Sequence, residues 1–278
     1  MGQSYSNIKD LYNEFNEINR DFGVHSSGDV VYCSDRIKKY YSYMYNTGFC
    51  NDYLEMVSSC FIYLIENLKK YNLEYDKLAE YAILWLRYKL NQKKPYYDTQ
   101  LNDFYTKHIK NNKYYNEKIN GDDSPTYKEL IDTKKDLLDI KEMTKFSYPF
   151  KLLLSLYNNN KKNSGNCTHS DDAKNFAKAF EELIKISNNI GSSSYNKMLY
   201  ILSDDYNNLK NKCTNFPPLP KIKTPLTTLI PALSTFSVIP AFLGIAYKYS
   251  LFGVDKLFQR QYIRKKLKKV KKKMKLNI

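Results

Sequence analysis

Apolar residues between positions 54 and 213 recur every three or four residues, the spacing that places them on one face of an α-helix. In segment 54–71 these positions are Leu54, Val57, Phe61, Leu64, Ile65 and Leu68. In segment 75–92 they are Leu78, Tyr81, Ala82, Trp85 and Tyr88. In segment 171–186 they are Ala173, Phe176, Ala177, Phe180, Leu183 and Ile184. Since no segment alternates convincingly between apolar and polar residues, the pattern predicts an all-α bundle.

Local signals refine where these helices begin and what they bury. The sequence "DDSP" predicts a helix start with Ser124 as N-cap and Pro125 at the first helical position. Pro149 is expected in the first turn of another short buried helix. Trp85 is the only tryptophan of the chain and is expected to fill the core.

Three prolines within four residues, Pro217, Pro218 and Pro220, cannot continue a helix. We therefore predict that a helical domain occupies residues 1–214 and that a short, stiff, proline-rich linker follows over 215–225.

Residues 224–247 contain no charged side chain over 24 positions, and about 20 apolar residues suffice to cross a bilayer. The competing interpretation is the last buried helix of a soluble domain, but such helices are rarely uncharged for so long. Pro231 and Pro240 are tolerated more readily in membrane helices than in soluble ones. We predict a single transmembrane helix over 226–252. Its membrane-interface residues are Tyr247, Lys248, Tyr249 and Phe252.

The tail, residues 253–278, is strongly basic, with eleven Lys or Arg and no acidic residue from position 256 onward. Ile263, Leu267, Val270 and Met274 form an apolar stripe, as in helices that lie on a membrane surface. A nucleic-acid-binding arm is the rival interpretation, but a spanning helix directly ahead disfavours it, and no nucleic-acid partner is expected. Contacts with anionic lipid are assigned to Arg260, Arg264, Lys265, Lys266, Lys268, Lys269, Lys271, Lys272 and Lys273.

The charge distribution supports this division of the chain. The net charge is +15, but residues 1–255 carry 33 basic and 29 acidic residues, a net charge of only +4. The positive-inside rule places such a tail in the cytosol and the helical domain on the other side of the membrane. Residues 1–27 contain no apolar run of signal-peptide length, so the late apolar segment is expected to direct insertion. Insertion as a tail anchor would instead place the tail in the lumen, against the positive-inside rule, so the topology stays open at this point.

Catalytic and metal-binding motifs are missing from the sequence. It contains no HExxH, GxGxxG, Walker loop or GxSxG, and none of its three histidines has a partner at metal-ligand spacing. The run "CTHSDD" (167–172) is interpreted as a helix start beside a cysteine rather than as a catalytic site. We therefore expect no enzymatic activity, no metal and no cofactor.

Five cysteines leave the redox compartment open. No CxxC pair exists, so a zinc ribbon or a thioredoxin-like site has no support. Disulfides in an oxidising compartment and buried free thiols in a reducing one are equally consistent with the sequence. The candidate disulfide residues are Cys33, Cys50, Cys60, Cys167 and Cys213.

Several segments resemble one known family, the Plasmodium interspersed repeat (PIR) proteins, which are the Cir/Yir/Bir variant antigens of rodent malaria parasites. The resemblance is carried by "YAILWLRYKLNQ" (81–92), "SSYNKMLYILSDDYNNLKNKC" (193–213) and "GIAYKYSLFGVDKLFQRQYIRKKLKKVKKKM" (244–274). The surroundings of Cys33, Cys50 and Cys60, in "VYC", "GFC" and "SSCFIYLIENL", and "NCT" with "AKNFAKAFEEL", also look like family cysteine regions.

The resemblance implies a helical ectodomain, one transmembrane helix and a short basic cytoplasmic tail, with export toward the infected host-cell surface or a parasite-derived membrane. It also implies antigenic variation and host interaction, with a host-cell or immune receptor as partner. The family commonly has a further cysteine near its start, which residues 1–32 lack. One of Cys33, Cys50 or Cys60 is then expected to be unpaired, and Cys167 is expected to pair with Cys213.

Two functions remain as hypotheses. The first is a non-enzymatic, membrane-anchored variant surface antigen that presents its helical ectodomain for host interaction and immune evasion. The second is an internal membrane protein whose basic tail recruits anionic lipid or the host cytoskeleton.

Overall fold

The computed structural model describes residues 8–24, 30–41, 52–160 and 166–222. Their helices and strands are α1 (Ile8–Ile18), β1 (Phe22–Val24), β2 (Val30–Cys33), α2 (Asp35–Lys38), α3 (Tyr53–Leu68), α4 (Tyr75–Leu90), α5 (Leu101–Phe104), α6 (Tyr127–Asp132), α7 (Lys135–Leu138), α8 (Ser147–Asn159), α9 (Ser170–Ile190) and α10 (Ser193–Lys210). Short 3₁₀ helices lie at Lys69–Tyr71, Tyr96–Asp98, Lys113–Asn116 and Lys141–Phe146, and a π-helix at Tyr105–Ile109. The described residues are mostly helical, which confirms the predicted fold class at that level.

Helix α8 lies at the centre of the domain, where it packs against α1, α4, α9 and α10, while α3 packs along α4. Pro149 stands in the first turn of α8, as predicted, where a missing N–H costs nothing. Trp85 is fully buried in α4, which confirms its predicted core position, and its indole N–H donates to Asn19 Oδ1 at 3.0 Å.

One β-hairpin is an exception to the all-α prediction. Strands β1 and β2 pair antiparallel, with Phe22 opposite Cys33. One more bond extends the pairing at the open end of the hairpin, where the Ser34 N–H donates to the Asp21 carbonyl at 2.6 Å. Strands of three and four residues are too short to establish a two-residue alternation, so the sequence pattern did not reveal them.

Helix α6 begins two residues later than the sequence predicted. Its N-cap is Thr126, whose hydroxyl accepts from the Glu129 N–H while the Glu129 carboxylate accepts from the Thr126 N–H, a complete capping box. Ser124 instead closes the preceding turn, where its hydroxyl donates to the Gly121 carbonyl at 2.9 Å and accepts from the Asn120 N–H. The predicted N-cap at Ser124 is therefore wrong.

A disulfide joins Cys167, just before α9, to Cys213, just after α10, with their Cα atoms 5.2 Å apart. This is the pair expected from the family resemblance. The Asn215 side chain reinforces the link, because it accepts from the Cys167 N–H and donates to the Cys167 carbonyl, each at 2.9 Å. The entrance of α9 and the exit of α10 are thereby held together.

The folded domain extends beyond its predicted end at residue 214. Phe216 is buried, with its ring centroid 6.3 Å from that of Tyr206, and the Tyr206 hydroxyl donates to the Pro217 carbonyl at 2.8 Å. The chain divides after Lys221 into two units, so the first part of the predicted linker belongs to the domain.

The predicted transmembrane helix (226–252) and the predicted tail (253–278) lie outside the described residues. Within the part of the chain that the structure describes, none of the helices is both long and apolar enough to cross a bilayer.

Candidate ligand-binding groove

Two adjoining cavities form a groove across one side of the domain. The first has a volume of about 630 Å³ and lies between the beginning of α8 and α9. The second has a volume of about 600 Å³ and extends past the ends of α1 and α4 to the hairpin. Asn91, Tyr97, Ser147 and Lys151 line both cavities, so we treat them as one groove. Each volume lies in the range of small-molecule binding sites, roughly 300–1,000 Å³.

Exposed tyrosines are concentrated in this groove. Among the described residues, five large hydrophobic side chains are exposed, all of them tyrosines. Three line the groove: Tyr32 is 51% exposed, Tyr97 39% and Tyr148 51%. A tyrosine ring offers a large, rigid contact area with a polar end, which is why tyrosine is enriched at binding surfaces.

Arg87 fixes the backbone that carries Tyr97. Its buried guanidinium donates to the Thr99 carbonyl at 2.5 Å and to the Tyr97 carbonyl at 3.1 Å. Burial lowers the pKa of Arg87 to about 10, and the nearby Asp98 carboxylate acts in the opposite direction. The side chain therefore remains charged at neutral pH and holds the loop through charge-assisted hydrogen bonds.

Backbone hydrogen bonds hold two further tyrosines in the second cavity. The Tyr32 hydroxyl donates to the Arg20 carbonyl at 2.7 Å, and the Tyr53 hydroxyl donates to the Lys89 carbonyl at 2.5 Å. The Tyr53 ring also stacks on Tyr96 with centroids 5.3 Å apart. Rings held in this way lose little conformational entropy when a ligand binds.

The groove carries two positively charged side chains without an ion-pair partner in the described part of the chain. Lys145 and Lys151 are exposed and form no ion pair with any residue that the structure describes. Of the two acidic lining residues, Asp98 interacts with Arg87. Glu182 lies 3.3 Å from Lys185, which it shares with Glu181 at 3.2 Å. Among the described residues, two unpaired lysines therefore stand against one partly compensated carboxylate. The groove therefore favours an anionic ligand over a cationic one.

The most strongly perturbed carboxylate lies elsewhere, in the centre of the helical core. Asp205 is 1% exposed, and its carboxylate accepts from the hydroxyls of Tyr12 at 2.8 Å and Tyr81 at 2.9 Å. The Tyr157 hydroxyl donates to the Asp205 carbonyl at 2.7 Å. Burial raises the pKa of Asp205 to about 7, and the tyrosine hydrogen bonds oppose that shift. With no solvent access, this cluster joins α1, α4, α8 and α10 rather than binding a ligand.

The sequence-predicted cysteines differ in their states. Cys33, Cys167 and Cys213 are disulfide-bonded, whereas Cys60 is a free, fully buried thiol and is not a disulfide residue. Burial raises the pKa of the Cys60 thiol, so it is unreactive in the folded protein. Cys50 lies outside the described residues.

The predicted membrane residues cannot be placed. The four interface residues (247, 248, 249 and 252) and the nine lipid-contact residues between 260 and 273 all lie outside the described ranges. Within those ranges, no group of three His, Cys, Asp or Glu side chains has the geometry to hold a metal ion. Cys167 is committed to its disulfide and α9 begins at Ser170, as the helix-start interpretation of "CTHSDD" implied.

The groove itself was missed from the sequence. The chain contains 27 tyrosines, and most of those that the structure describes are partly or fully buried, so abundance alone does not identify the exposed ones. For Tyr97 alone a signal exists in "KPYYD" (94–98), where tyrosines follow a proline in a segment without helical periodicity, but nothing comparable marks Tyr32 or Tyr148.

Comparisons with known proteins extend over most of the chain. Residues 7–248 match the family model described as Plasmodium variant antigen protein Cir/Yir/Bir. A solved structure, described as the ectodomain of a Plasmodium PIR protein, has 30% sequence identity and a TM-score of 0.55. That match covers 78% of this chain and 99% of the other. No curated protein is significantly similar to the chain.

Proposed function

Since the chain belongs to the Plasmodium variant antigen family Cir/Yir/Bir, we propose that it is a membrane-anchored variant surface antigen without enzymatic activity. Its helical domain is presented to the host through the tyrosine-lined groove, in the service of host interaction and immune evasion. The observation that carries the proposal is the extent of the family match, which continues from the folded domain, ending at Lys221, to residue 248. It thus includes most of the predicted transmembrane helix.

Two features support a location of the domain outside the cytosol. Disulfides persist in oxidising compartments, and the Cys167–Cys213 bridge ties together two helix ends of this domain. The basic tail favours the cytosolic side by the positive-inside rule. The chain is therefore a single-pass protein with its domain and its tail on opposite sides of an exported or surface membrane.

The tail has a supporting role in this proposal. Its cations lie along the anionic leaflet, where each Lys or Arg contributes about 1 kcal/mol. In the alternative function, the tail would be the working part and would recruit lipid or cytoskeleton from an internal membrane.

Alkaline extraction tests the anchor. We expect the full chain to stay in the membrane pellet at high pH and a variant lacking 226–252 to be released, because no other segment supplies about 20 apolar residues. A variant lacking 256–278 is the matched control and is expected to remain in the pellet. Release of the full chain would contradict the proposal. On deletion of 256–278, host-cell binding is expected to survive under the proposed function, whereas localisation is expected to fail under the alternative.

A further inference from the structure

The two cavities of the groove differ in chemistry. The first has an apolar wall formed by Pro149, Ala179, Leu183 and Ile186, from the beginning of α8 and from α9. The second is lined by tyrosines and by the polar side chains of Asn19 and Gln92. A ligand that fills both cavities must therefore offer an apolar group at one end and polar groups at the other.

Two lysines stand beside the apolar wall. Lys145 lines the first cavity, and Lys151 lines both. Neither has an ion-pair partner among the described residues, whereas both acidic residues of the groove lie near cations. Carboxylates of a ligand would gain two charge-assisted contacts there without displacing an existing pair.

Internal hydrogen bonds fix the shape of the groove. The Arg87 guanidinium fixes the Tyr97 loop through two carbonyl groups, and the Tyr32 hydroxyl is bonded to the Arg20 carbonyl. Preorganised aromatic side chains surrounded by adaptable amides are typical of surfaces that bind polypeptides.

We propose that this groove binds an acidic polypeptide segment that carries one apolar anchor side chain. The anchor lies against Ala179 and Ile186, the half-buried members of the apolar wall, and carboxylates on either side of it contact Lys145 and Lys151. The inference rests on the proposed function, since it names the class of partner for the same surface. A glycan offers the apolar wall only ring C–H faces and small acetyl groups, which cover it less completely than an apolar side chain, and a bilayer surface is too flat to enter two cavities.

A labelled peptide tests the proposal. The probe is a fluorescein-labelled acidic peptide, Glu-Glu-Asp-Phe-Glu-Asp-Glu, followed by fluorescence anisotropy in neutral detergent. It is added to the chain lacking 256–278, because the eleven cations of the tail would bind the peptide themselves. We expect Lys145→Glu/Lys151→Glu to weaken binding about tenfold or more, because two attractive contacts become repulsive. Lys197→Glu/Lys212→Glu is the matched control, since it changes the same charge at exposed positions outside the groove and is expected to leave binding unchanged.

Further probes make each outcome decisive. Replacing the peptide phenylalanine by serine is expected to weaken binding about as much as the lysine reversal. The proposal is overturned if the two double variants bind equally, or if the serine peptide binds as tightly as the original. It is also overturned if a heparin fragment or phosphatidylserine dissolved in the detergent micelles binds through Lys145 and Lys151 more tightly than the peptide does. Alkaline extraction of the same variants tests the membrane anchor separately. A failure of peptide binding can therefore be distinguished from a failure of membrane insertion.

Discussion

Replacing Lys134 with methionine is expected to lower the free energy of unfolding by about 3–5 kcal/mol, because it leaves a carboxylate buried without its partner. The Lys134 Nζ lies 2.9 Å from Glu80 Oε1, and both side chains are only 6% exposed. Asp76, which is largely exposed, adds a second contact at 3.1 Å. Burial alone would lower the pKa of Lys134, but the hydrogen bonds and charges of these two carboxylates outweigh it and raise the pKa.

The neighbouring lysine is a matched control. Lys135 forms an i,i+3 pair with Asp132 at 3.6 Å, but its side chain is 60% exposed. Lys135→Met is therefore expected to cost no more than about 1 kcal/mol. Urea unfolding followed by Trp85 fluorescence measures both, since the single tryptophan lies in the domain core. Equal losses of unfolding free energy in the two variants would contradict a buried ion pair. The double variant Glu80→Gln/Lys134→Met is expected to recover much of the stability lost in Lys134→Met.

Asp205→Asn is expected to make the domain more stable than the unsubstituted protein at pH 8. The unfolded aspartate has a pKa of about 3.9, and burial raises the pKa of Asp205 in the folded domain to about 7. Between these values the folded state holds a proton that the unfolded state has lost, so stability falls as pH rises. A pKa difference of three units corresponds to about 4 kcal/mol in the free energy of unfolding. This stabilisation is fully present below pH 4 and is lost as the pH rises through 7.

An asparagine can replace the protonated carboxyl in the same hydrogen-bond pattern. Its carbonyl can accept from the Tyr12 hydroxyl, and its amide can donate to the Tyr81 hydroxyl, which lies 2.9 Å from Asp205 Oδ1. Unfolding curves at pH 4 and pH 8 measure the free energy of unfolding of both proteins. Between these two pH values, the difference in favour of the variant is expected to grow by about 4 kcal/mol. Asp136→Asn removes an exposed carboxylate and should show no such gain. A pH-independent difference for Asp205→Asn would refute the assignment.

The helical periodicity predicted the main packing elements well, because burial of one face is what stabilises such helices. Segments 54–71, 75–92 and 171–186 correspond to α3, α4 and α9, and Trp85 occupies the core. The same pattern could not reveal which polar residues become buried. Asp204 and Asp205 are adjacent in the sequence, yet only Asp205 is turned into the core, where three tyrosines from distant helices converge on it.

Local signals failed where two residues competed for one role. Ser124 and Thr126 are both good N-caps, and the choice was decided by Glu129, which lies three residues after Thr126 and completes the capping box. The groove depends on long-range placement, since Tyr32, Tyr97 and Tyr148 come from the hairpin, the 3₁₀ helix Tyr96–Asp98 and α8. No spacing along the chain brings those three together.

In the proposed function, the helical domain and the basic tail lie on opposite sides of a membrane. Asn166 allows a direct test, because it is exposed and begins the glycosylation sequon "NCT". We expect the full chain, translated with mammalian microsomes, to gain one glycan that Asn166→Gln abolishes. Added protease should then remove only the basic tail. An unglycosylated chain whose domain is digested while its tail is protected would contradict the claim.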